Sequence, residues 1–162
     1  MNISSWANFF IAAAGAGAAL AGLIIVAMSV NVTRILRIPG MTSRAGTTIA
    51  VLILIVLLAL AGLFPHQTYL QLGIAMTVCS VPVLGLSVRS ATVMINDAAS
   101  GAKGMAAAKG LLGIAPASIA TAAGMLVLLG IPTGLTLLGL SMLVGIAASV
   151  TNAWVLLVEI LR

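Results

Sequence analysis

Charge is what this sequence has least of. Only 6% of its 162 residues are Asp, Glu, Lys or Arg, and just two are acidic, Asp97 and Glu159. A water-soluble domain carries about 25% charged residues. So few charges cannot cover a surface in water, and most side chains must therefore face lipid or one another. Aromatic residues make up 4% of the chain, and histidine and cysteine occur once each, as His66 and Cys79. A lone cysteine excludes an intrachain disulfide, and its place in an apolar run gives no information on redox compartment. With two acids and one imidazole, no Ser-His-Asp set and no metal-ligand spacing is available, so the expectation is a non-enzyme with no metal and no cofactor. A proton-coupled pump normally keeps an acid at mid-membrane, and neither acid is placed there.

Apolar length is what the sequence does have. The hydrophobic fraction is 62% and the mean hydropathy is +1.31. A helix crossing the hydrocarbon needs about 20 apolar residues, so a chain of this length holds about four to six crossings and leaves no room for a separate soluble domain. Pro-Gly and charged interruptions divide it into five spans, at about 6–30, 45–64, 69–88, 110–131 and 134–161. A four-span alternative would need 110–162 as one crossing, too long for about 30 Å of hydrocarbon and broken by Pro132. The expected fold class is an all-α membrane protein, a single domain made of a bundle of five transmembrane helices. The first run is read as a span and not as a cleaved signal, because no Lys or Arg precedes it and it is too long for a signal core.

The basic residues orient the bundle. Arg34, Arg37 and Arg44 fall in the loop 31–44, Arg89, Lys103 and Lys109 in the loop 89–109, and Arg162 at the end. With five crossings and the N-terminus outside, all seven share the cytoplasmic side, as the positive-inside bias requires. Trp6, Phe9, Phe10, Phe64 and Tyr69 then lie at the outer interface, and Trp154 near the inner one. The net charge of +5 is explained by this bias and does not indicate nucleic acid. Arg34, Arg37, Arg44, Lys103 and Lys109 are expected to contact lipid headgroups, with a short surface helix over Ala98–Ala108. The alternative use of the 89–109 loop is to dock a cytoplasmic partner.

Polar and small residues are placed with helical spacing. In the first span Gly15, Ala18, Gly22 and Ser29 share a face, which predicts close internal packing. The second span is apolar all round from Ile49 to Leu60 and is expected on the lipid side. In the third, Gly73, Thr77, Ser80 and Ser87 share a face around Pro82, whose freed carbonyl at Val78 is within reach of Thr77 or Ser80. In the fourth, Pro116 is expected near the helix start. In the fifth, Ser141, Gly145, Ser149, Asn152 and Glu159 form the most ordered polar stripe of the chain. His66, in the turn 65–68, is read as a solvated turn residue.

The segment from Gly15 to Asn31 and the ending from Asn152 to Arg162 resemble a group of small uncharacterised multi-pass bacterial membrane proteins of actinobacterial type. Some of these are labelled as modulators of a membrane protease. The resemblance implies a bacterial cytoplasmic membrane; it implies no activity, and no functional residue is carried over. Two functions are consistent with the pattern. One is a self-associating bundle, a homo-oligomer in the lipid bilayer, that forms a passive pathway for an ion or small neutral solute along the stripes of spans three and five. The other is an accessory subunit packed against a larger membrane protein. In both, the same hydroxyls also serve as interhelical glue, worth about 0.6 kcal/mol per bond.

Overall fold

The computed structural model describes residues 3–37, 41–97 and 103–161, and within these the side chains of Ser4, Arg34, Arg37, Asp97 and residues 103–109 and 156–161 are outside the description. A 3-10 turn, Ile3–Trp6, leads into α1 (Ala7–Val30), followed by the short α2 (Val32–Arg37), α3 (Met41–Gly62), α4 (Tyr69–Asp97), α5 (Lys103–Leu128) and α6 (Thr133–Leu161). Five of these helices are long and apolar enough to cross a membrane.

Local sequence sets the helix ends. Thr68 and Gln71 form a capping box at the start of α4: the Thr68 amide donates to Gln71 Oε1 at 3.0 Å, and the Gln71 amide donates to Thr68 Oγ1 at 3.3 Å. The α5–α6 hairpin begins with a Schellman motif. Gly130 has φ +71°, its amide donates to the Val127 carbonyl, and the Ile131 amide reaches back to Leu126. Pro132 follows and prevents the helix from continuing. Between α1 and α2, Asn31 interrupts the helix, with its Nδ2 donating to the Ala27 carbonyl at 3.0 Å.

The helix at the centre of the bundle is α3, which corrects the expectation that this span lies on the lipid side. Its apolar window is 61% buried, against 28% for that of α1. It packs against α1, α4, α6 and part of α5. A helix apolar on every side can be surrounded as readily as exposed, and glycines of its neighbours make room for its large side chains. Gly17 of α1 lies over Ile55 and Val56, and Gly145 of α6 lies over Val51 and Ile55.

Four further expectations change. The buried face of α1 is Phe10, Ala13, Gly17, Ala21 and Ile24, while Gly15, Ala18, Gly22 and Ser29 point away from the bundle. The two faces are about 130° apart. Phe10 is not an interfacial ring: it is fully buried, stacked with Trp6, and covers Gly62, where a Cβ would stand 2.5 Å from the ring. The stretch 89–109 is largely helical, since α4 runs to Asp97 and α5 starts at Lys103. Pro116 therefore lies well inside α5, and it is buried. Thr77 donates to the Gly73 carbonyl and Ser80 to that of Thr77, so neither hydroxyl goes to Val78 beside Pro82.

Candidate functional site

The two polar stripes enter different interfaces. That of α4 meets α5. Thr121 Oγ1 lies 3.0 Å from Ser80 Oγ, a hydrogen bond across the interface, and 2.8 Å from the Ala117 carbonyl of its own helix. Gly124 sits against Thr77, and Gly73 against Leu128. The stripe of α6 meets α3 through Gly145. Ser141 is buried and donates to the Leu138 carbonyl at 2.8 Å. Ser149 is buried with its Oγ making no hydrogen bond among the described residues. Much of the bundle interior is filled by Phe10, Leu58, Leu72, Met76, Leu138 and Met142, each at most 1% exposed.

The stripes converge at one place. At the Arg44 end of the bundle, Ser87 of α4 and Asn152 of α6 line the same cavity, together with Arg44 and Thr47 of α3, Ser90 of α4, and Gly110 and Gly113 of α5. The free volume is about 10 Å³, roughly what one water occupies. Small residues bring the walls together: a Cβ at Gly110 would meet that of Ala91 at 2.9 Å, and one at Gly113 would meet Thr47 Cγ2 at 3.4 Å.

Four polar residues of this cavity are buried. Ser87 is 1% exposed, Ser90 4%, Asn152 7% and Arg44 8%. The burial of Arg44 corrects the expectation of a headgroup contact. Because α3 starts at Met41, Arg44 belongs to its first turn and is drawn into the bundle with the helix. Most of the other hydroxyls in the membrane-length helices donate to a carbonyl three or four residues back, among them Ser29, Thr47, Thr48 and Thr151. Ser87 Oγ does not; it is buried and makes no hydrogen bond among the described residues.

The remaining sequence candidates fall elsewhere. The side chains of Arg34, Arg37, Lys103, Lys109 and Glu159 lie outside the described residues. His66 is exposed, with φ 55°, in the turn beyond the opposite end of α3 from Arg44. Among the described residues no group of three or more His, Cys, Asp and Glu is placed to hold a metal. Sequence reasoning grouped Ser87 and Asn152 by helix face but missed Thr47 and Ser90. Their only signal is spacing, Thr47 lying three residues after Arg44 and Ser90 three after Ser87. No protein family, curated protein or solved structure matches the chain.

Proposed function

We propose that this is a non-enzymatic multi-pass protein of a bacterial cytoplasmic membrane that works by associating with further copies of itself through the outward face of α1. The observation that carries this reading is the open small-residue face. At Gly15 and at Gly22 nothing lies within 4 Å of where a Cβ would stand. Ala18 and Gly22 form a small-xxx-small pair of the kind that lets transmembrane helices approach closely. Exposed Ile11 and Val26 bracket this face. Helix association in lipid draws on packing, since lipid tails are as apolar as leucine, and this face offers a second helix a backbone-deep contact.

In this reading the N-terminus is outside, and the basic residues share the cytoplasmic side. The polar stripes act as glue within one copy, as the Ser80–Thr121 bond illustrates. A passive pathway for an ion or small neutral solute therefore runs between copies, not through the packed interior of one. An accessory subunit of a larger complex would use the same α1 face for a different occupant.

The test is the mass of the full-length protein in lipid nanodiscs and mild detergent. The expected result is an oligomer that Gly22→Leu converts to monomer with its helix content unchanged. A monomeric wild type, or an oligomer indifferent to Gly22→Leu, overturns the proposal. Crosslinking from Ala18→Cys in native membranes that captures a different protein favours the accessory reading.

A further inference from the structure

We infer that the cavity between Ser87, Ser90 and Asn152 is a binding site for one water molecule that bridges α4 to α6. Two polar residues of the wall are engaged elsewhere. The Thr47 hydroxyl donates to the Ser43 carbonyl at 2.9 Å, and Arg44 has a partner of its own. The Ser87 hydroxyl differs from both. It lines the cavity, the residue is 1% exposed, and the oxygen makes no hydrogen bond among the described residues. Leaving a buried hydroxyl in that state disfavours folding by about tenfold or more. An ordered water removes the penalty wherever the space is polar and large enough to hold it.

Both conditions are met. The free volume of about 10 Å³ is room for one water. Ser90 and Asn152 line the same space and are 4% and 7% exposed. Ser90 comes three residues after Ser87 on α4, so the two share a face, while Asn152 belongs to α6. Two hydroxyls and an amide offer donors and acceptors together, which suits a ligand that is itself both. The position gives the water its role. Both α4 and α6 pack against α3 and α5, and residues of all four helices wall the cavity. A water bound there joins α4 to α6 across the middle of this four-helix set. It exchanges through the partly open side of the cavity. Solvent stops at this point, because Met76, Leu138 and Met142, all at 0% exposure, fill the interior beyond.

Gly113→Ala tests the site by filling it. Gly113 lines the cavity, and a Cβ there would stand 3.4 Å from Thr47 Cγ2. That is the edge of ordinary contact, so the new methyl takes the water's space without a clash. Gly85→Ala is the control, the same change with nothing within 4 Å. The assay is reversible unfolding of the full-length protein in mixed micelles. Gly113→Ala should have an unfolding equilibrium constant about tenfold above that of Gly85→Ala, because Ser87 and Asn152 lose their shared partner. Adding Ser87→Ala to Gly113→Ala should recover most of that loss, since no unpaired hydroxyl is left. A steric cost against Thr47 would persist with or without the Ser87 hydroxyl. Nuclear Overhauser spectra of the wild type should show a water in contact with the Asn152 side-chain amide, and Gly113→Ala should abolish it. Equal constants for Gly113→Ala and Gly85→Ala, a loss that Ser87→Ala does not recover, or no water contact at the Asn152 amide overturns the inference.

Discussion

Gly124→Ala tests how the α4–α5 pair is held. A Cβ at position 124 would lie 2.7 Å from Thr77 Oγ1 and 3.1 Å from both Met76 Cβ and the Thr77 amide nitrogen. These neighbours cannot easily give way. Two of them are fixed to the backbone, and the hydroxyl is tied to the Gly73 carbonyl at 2.9 Å. Overpacking of this kind costs about 1–3 kcal/mol. Alanine also gains about 1 kcal/mol of helix propensity over glycine, which would hide part of the loss. Gly85→Ala in α4 provides the control, since nothing lies within 4 Å of its Cβ position and it gains the same propensity. The difference between the two variants isolates packing, and Gly124→Ala should be the less stable by about 1–3 kcal/mol. Thr77→Ala should recover part of the loss in the double variant, because the two sites touch. The assay is reversible unfolding in mixed micelles, titrated with a denaturing detergent and followed by far-UV circular dichroism. Equal midpoints for Gly124→Ala and Gly85→Ala, or no coupling to Thr77→Ala, would refute the close approach of α4 and α5.

Phe10→Ala should cost about 3–5 kcal/mol in the same assay, because the ring is fully buried over Gly62; a loss below 1 kcal/mol, the range of a surface change, would return Phe10 to the lipid interface. In a Cys79→Ala background, Gln67→Cys should react with a membrane-impermeant thiol reagent added to intact cells; labelling only after the cytoplasmic side is opened would reverse the proposed orientation.

Some features were legible because they depend on the chain alone. Five helices long enough to cross a membrane follow from apolar length, and Ser87 and Asn152, each on a polar stripe read from spacing, are both buried. The capping box at Thr68 and the Schellman turn at Gly130 also have local signatures, Thr-x-x-Gln in one case and Gly before Pro132 in the other. The candidate site was only half legible. Ser87 and Asn152 lie on recognisable stripes, but Arg44 read as a loop residue because nothing local shows that α3 begins at Met41.

The sequence by itself determined that this is an all-helical chain and which five stretches are long and apolar enough to cross a membrane. Tertiary structure alone decided which helix stands in the middle and which face of α1 turns inward. The reason lies in the solvent. In water an apolar face must be buried, so hydrophobicity marks the inside; in a bilayer the hydrocarbon is as apolar as the core, and that contrast vanishes. The choice then passes to shape. Around α1, small residues occur on the Gly17 face and on the Gly15–Gly22 face alike, and only the fit of Gly17 over Ile55 and Val56 selects between them.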